Sequence, residues 1–178
     1  NLFSAASVLA LAVLAGLVSI LFCLCLHGFG ALYRRFFPNP FLRAAAGGVL
    51  VILLTLALGT RDYNGAGLDV IAGAMAGSVR PEAFLAKIVL TALTLEAGYK
   101  GGEIVPSFFV GATFGCAAAP LLGLDPAFGG AIGMIALFCG VTNCPLASIF
   151  LSIELFGSSH VLFFALACAL SYLLSGKF

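Results

Sequence analysis

Tryptophan is absent, and Asp, Glu, Lys and Arg together make up only 8% of the 178 residues. A soluble domain carries about 25% charge, so so little charge excludes a water-soluble globular fold, and with it disorder and coiled coil. Eight basic and seven acidic residues leave a net charge of +1, which offers no basic face for nucleic acid. The six cysteines (Cys23, Cys25, Cys116, Cys139, Cys144 and Cys168) form no CxxC pair and lie in apolar runs, so small buried hydrophobes are expected rather than a disulfide framework or a metal site. No HExxH, Walker loop, dinucleotide fingerprint or nucleophile-and-base pair occurs, so no enzyme, metal or cofactor is implied. A basic n-region is missing at the start, so the opening run is not expected to be a secretory signal peptide. The chain opens without Met in mid-pattern, as a piece of a longer protein would.

What is present is apolar: 62% of residues are hydrophobic. Residues 1–33, 44–60, 104–124, 126–153 and 155–176 carry no Asp, Glu, Lys or Arg. About 20 apolar residues cross the hydrocarbon of a bilayer as a helix. These runs therefore predict an all-α polytopic membrane protein, with its charges gathered in the connections.

Residues 4–36 read as one long tilted helix ending at Arg34–Arg35. Asn39 and Pro40 start a second, over about 40–59, closed by Gly59. A polar loop (60–67), a short segment (68–77) and a helix over about 81–97 follow. The last carries Lys87 and Glu96, so it is expected to be partly buried in protein or near the interface. Tyr33, Tyr63, Tyr99 and Tyr172 are the only residues available for an aromatic belt besides Phe. By the positive-inside bias, Arg34, Arg35 and Arg43 place their connection in the cytoplasm.

Residues 98–178 are different. A break at 98–106, a segment to about 122, a segment over 127–141, a second break at TNCP (142–145), and segments 145–156 and 160–175 are all short, interrupted by Gly and Pro, and almost free of charge. Broken backbone at membrane depth leaves unpaired N–H and C=O groups and is tolerated only inside protein or along a polar cavity. Such segments point to ion or substrate sites in transporters.

The first break reads GGEIVPSFFVGATFG (101–115). With Pro106 beginning a helical turn, the amides of Ile104, Val105, Ser107 and Phe108 are expected to lack helical partners and to form an anion site at the positive end of the helix dipole. Gly101 and Gly102 would let an ion approach the backbone. An ionised Glu103 would repel that ion, and an ordinary helix start explains the same residues equally well. In the second break, GVTNCPLASIFLSIELFG (140–157), Asn143 is a candidate N-cap before Pro145, and Ala147 and Ser148 would permit close helix packing. Glu154 is expected to snorkel at the helix end, and His27 and His160 to be satisfied polar residues at helix ends.

GYKGGEIVPSFFVGATFG and GVTNCPLASIFLSIELFG, in this order and spacing, resemble two signature elements of the CLC family of chloride channels and transporters. The resemblance covers essentially the whole chain but only the second of the family's two inverted repeats, about helices J to Q. It implies a CLC-type bundle of tilted, short and broken helices, with 1–178 as the second half of a transmembrane domain, in a multi-pass protein of the cell membrane. It implies transport of chloride or fluoride, as a channel or an anion/proton antiporter, with the amides of Ile104 and Val105 holding the central anion and Gly101, Gly102 and Pro106 shaping the turn. Segments 145–156 and 160–175 would contribute to a homodimer interface. The family's gating glutamate and serine-bearing loop would lie in a first repeat outside this sequence, and its central tyrosine just past Phe178; alone, then, this half would not transport. Glu103 stands where many members are apolar and Ile104 where many have Phe, a pattern similar to the fluoride/proton antiporter branch; TNCP also resembles that branch. Glu103 is therefore the candidate for ion selection or proton coupling. From the residues alone, an unrelated secondary transporter with broken helices is the alternative.

Overall fold

The computed structural model describes residues 2–176, and side chains from Ser4 onward. Eight α-helices run in the order α1 (Leu2–Phe36), α2 (Pro40–Leu58), α3 (Leu68–Met75), α4 (Ala83–Glu96), α5 (Ile104–Ala118), α6 (Pro126–Thr142), α7 (Pro145–Phe156) and α8 (Val161–Ser175). A single 3-10 turn, Ala119–Leu122, extends α5. No strand occurs among the described residues. Ser4–Phe36, Pro40–Leu58 and Ile104–Leu122 are long and apolar enough to cross a membrane. The 33 residues of the first would reach about 50 Å, so it must tilt to stay within the layer.

Local chemistry sets most boundaries. Asn39 caps α2, its Oδ1 accepting from the Phe41 amide at 3.0 Å, and Pro40 occupies the first turn where a missing N–H costs nothing. Gly59 closes the same helix in the left-handed region (φ 66°). Asp125 caps α6 through Phe128 at 3.0 Å.

α6 is the centre of the bundle. Ile132, Ile135, Ala136, Leu137 and Cys139 are fully buried, packed among α1, α5 and α8. α5 lies against α6 most extensively. Gly111 and Gly115 face Gly129 and Gly133, and a Cβ on Gly111 would sit 2.6 Å from the Gly133 carbonyl oxygen. Backbones this close exclude any larger residue. α2 is the opposite case: Gly47 is its only buried residue among those described, while Val49, Ile52, Leu53 and Leu56 are exposed. An apolar surface of this extent requires lipid or another polypeptide against it.

Some expectations need correction. Tyr33 and Tyr63 are buried, so they do not serve a belt; Tyr99 and Tyr172 are exposed. Ser148 is buried as expected of a packing position, but Ala147 is exposed, because α7 turns the adjacent face outward. Asn143 does not cap α7. It ends α6 in the left-handed region (φ 54°), where its short side chain is tolerated, and its Oδ1 accepts from Ser175 Oγ at 3.2 Å. Cys144 takes the cap position of α7 without a side-chain bond and is exposed, unlike the buried Cys116, Cys139 and Cys168.

Candidate functional site

The break between α4 and α5 is held by its neighbours. The α4 helix ends at Glu96; Gly98, at φ 102°, turns the chain out of helical geometry while its amide donates to the Leu95 carbonyl at 3.0 Å. Tyr99 Oη donates to the Ala44 carbonyl of α2 at 3.0 Å, which ties the break to the outer helix. Gly47 and Gly48 make the approach possible: a Cβ on Gly47 would collide with Ala97, and one on Gly48 would lie 2.8 Å from Tyr99 Oη.

The α5 helix starts at Ile104, so Pro106 is its third residue and not its first. The correction has a simple cause: proline is tolerated throughout the first turn, where amides have no helical acceptor anyway. Consequently Ser107 already donates to the Glu103 carbonyl at 2.9 Å, and Phe108 lies within the regular ladder. Both are removed from the expected donor set. Ile104 and Val105 remain, as first-turn amides without helical acceptors.

Glu103 occupies the cap position in αR geometry and makes no side-chain capping bond. Its carboxylate therefore does not close off the amides behind it. Residues 101–105 are all exposed on this chain. Gly101 packs tightly, since a Cβ there would approach Leu95 Cδ2 to 2.9 Å, whereas a Cβ on Gly102 would meet nothing within 4 Å. Close packing explains the first glycine; open space in front of the turn accompanies the second.

The turn borders a cavity of about 390 Å³. Gly101, Gly102 and Pro106 form one side; Asn64, Thr91 and Lys87 are among the residues of the others. Lys87 is 2% exposed. Its Nζ donates to the carbonyls of Tyr63 at 3.0 Å and Gly65 at 2.5 Å, and lies 4.8 Å from the centre of the Phe109 ring. Partial burial, or a place near the interface, was expected of its helix; the near-complete burial of Lys87 and its convergence on the turn were not, because its partners stand 22 and 24 residues away and leave no local pattern.

The remaining candidates stay apart from this place. Glu154 is exposed near the end of α7, and His27 is exposed with Nδ1 2.8 Å from the Cys23 carbonyl. His160 stands before α8 and packs on Phe128 at 5.2 Å between ring centres. Among the described residues, no three His, Cys, Asp or Glu side chains gather as metal ligands would.

Residues 1–176 match the family model described as voltage gated chloride channel. A chloride/fluoride channel protein of Pseudomonas syringae pv. tomato is 39% identical over 99% of this chain. The crystal structure of a CLC-type fluoride/proton antiporter superposes with a TM-score of 0.94 at 31% identity, over 98% of this chain. The chain spans 40% of the length of the first relative and 45% of the second. With a model match over nearly its full length and an all-helical fold that carries three membrane-length helices, this chain is an integral membrane polypeptide and belongs to the voltage gated chloride channel family.

Proposed function

We propose that the whole protein carries inorganic anions across the membrane, fluoride foremost, in exchange for protons. The observation that bears most on this reading is the start of α5, where Ile104 and Val105 keep uncapped amides behind an open turn. Two first-turn amides and the helix dipole attract an anion without a fixed cation at contact distance, so the ion is partly dehydrated yet free to leave. Gly101, Gly102 and Pro106 shape the turn, and Glu103 lies beside the amides, where its charge state acts on ion choice or on proton coupling. The two relatives carry fluoride in their names, one as a channel and one as a proton antiporter; chloride conduction is the second reading. Exposed apolar residues on α7 and α8, such as Leu146, Phe150, Leu162 and Leu173, support a homodimer joined through these helices.

The test is efflux from liposomes containing the full-length protein. Fluoride efflux exceeding chloride efflux about tenfold or more, with protons moving the opposite way, is the expected result. Equal fluoride and chloride rates without proton movement would replace the antiporter with a channel, and no efflux of either ion would reject the reading.

A further inference from the structure

We propose that the end of the bundle at the α1–α2 connection binds an anionic phospholipid, with its phosphodiester on Arg35 and Arg43 and one acyl chain in the aromatic-lined cavity beside them. The proposal does not depend on which ion the protein carries.

The cavity is small, about 90 Å³, and apolar. Phe29, Leu32, Tyr33 and Phe36 supply one wall; spaced i, i+3, i+4 and i+7, they form a single stripe on α1. Leu50 of α2 and Leu93 of α4 are among the residues of the other walls. The Tyr33 hydroxyl is already engaged, donating to the Leu93 carbonyl at 3.3 Å. A space lined this way excludes water and admits hydrocarbon. The chain does not cover it: Leu32, Phe36 and Leu50 are 50%, 64% and 41% exposed. A stretch of acyl chain can therefore enter from the side.

Hydrocarbon walls alone do not single out an occupant; the charge at the end of the groove does. Residues 34–43 hold three arginines and no Asp or Glu. Arg35 follows Leu32 by three residues and stands over the edge of the stripe, and Arg43 precedes Leu50 by seven on the same face of α2. Arg35 is exposed and Arg43 half-buried. Among the described residues, none of the three arginines has an ion-pair partner within 4.0 Å. Glu96 comes up against Gly30, one turn before Arg34, so three cations stand near one carboxylate and positive charge remains in excess. Arg43 gives a sharper sign: its Nε is buried and meets no acceptor, a costly state for a donor on a charged group. In a membrane, the acceptor found at the end of a spanning helix with a hydrocarbon tail attached is the phosphodiester of a lipid. A guanidinium pairs with phosphate in bidentate geometry. Zwitterionic lipid brings a cation of its own to the arginines; net-negative lipid does not, and is preferred. Arg43 Nη2 lies beside Gly98, and Tyr99 bonds the Ala44 carbonyl, so the site borders the break before α5.

The test uses the full-length protein in detergent, with lipid binding read by native mass spectrometry and by the thermal midpoint. The probes are phosphatidylglycerol, phosphatidylcholine with the same acyl chains, and glycerol phosphate as the anion without a tail. The parent is expected to bind phosphatidylglycerol about tenfold or more tightly than phosphatidylcholine, and to keep it against an equal concentration of glycerol phosphate. Arg35→Gln combined with Arg43→Gln is expected to abolish that preference. Arg61→Gln, at the opposite end of α2, is expected to retain it. Leu32→Trp, which fills the mouth of the cavity, is expected to weaken phosphatidylglycerol about threefold or more. Equal affinity of the parent for the two lipids overturns the proposal, as does a parent-like preference in the double variant. An equal loss in Arg61→Gln overturns it in favour of the protein's overall charge, and displacement by glycerol phosphate in favour of a soluble anion. Parent-like binding in Leu32→Trp overturns the placement of the chain in the cavity. Should the double variant fail to fold, Arg35→Gln decides alone, because its side chain is exposed: an unchanged preference overturns the proposal.

Discussion

Glu103 is the residue at which this chain differs most pointedly from an ordinary anion-attracting helix start. A carboxylate at a helix N-terminus normally stabilises it by pairing with the dipole. Here the side chain makes no capping bond and stands exposed beside the two free amides. On the proposed reading, its charge would compete with an incoming anion without occupying the anion's place. Glu103→Gln keeps size and hydrogen bonding and removes the charge, so it is expected to change the fluoride-to-chloride ratio or the number of protons moved per anion by about threefold or more, measured by liposome flux. Unchanged selectivity and coupling would remove Glu103 from the mechanism. Its position was legible in the sequence because glycines and a proline frame it. The donor set beside it was only half legible: Pro106 can stand at the first or the third helical position with equal ease, and the choice decides whether Ser107 and Phe108 donate to an ion or to their own helix.

At the level of elements, the α5–α6 pair holds the α5 terminus in place. Gly111 and Gly115 on one helix and Gly129 and Gly133 on the other repeat at four-residue spacing, a pattern present in the sequence that signals backbone contact between helices. A methyl group on Gly115 would be driven into the Gly129 carbonyl. Neither backbone can retreat, because α6 is enclosed by α1 and α8 as well. Gly115→Ala is therefore expected to destabilise the full-length protein by about 1–3 kcal/mol, the usual range for overpacking, read as a lower thermal midpoint. Gly28→Ala serves as the control: no atom lies within 4 Å of the added carbon on that exposed stretch of α1, and a glycine removed from a helix stabilises by about 0.5–1 kcal/mol. Equal midpoints for the two variants would contradict the packing described here. The start of α2 at Asn39–Pro40 followed from capping chemistry that acts over two residues, whereas α7 starts at Pro145 with no side-chain cap at all. The role of Asn143 did not follow, since a break two residues long lets one side chain end the helix before it or begin the helix after it.

For the whole molecule, the legible part was what depends on composition and order: charge-free runs of spanning length, two polar breaks and their spacing. The contacts that bring distant segments together were not legible. Lys87 meets Tyr63 and Gly65 across a loop and two helix ends, and Tyr63 packs edge-on to Phe109. Such convergence arises only when the α2–α3 loop folds over α4 and α5. It gives one region of the bundle a cluster of backbone donors, a buried cation and an open volume, while the outward faces of α2, α7 and α8 stay apolar for lipid or for further polypeptide. The proposed transport pathway would rely on oriented dipoles more than on side-chain chemistry. The most direct measurement of that claim is exchange of the amide at Val105 for an ester in the full-length protein, which removes one N–H and leaves every side chain in place. A hydrogen bond to an ion contributes about 1.5–3 kcal/mol, so anion affinity in liposome flux should fall about tenfold or more; flux and affinity equal to those of the unmodified protein would contradict the account.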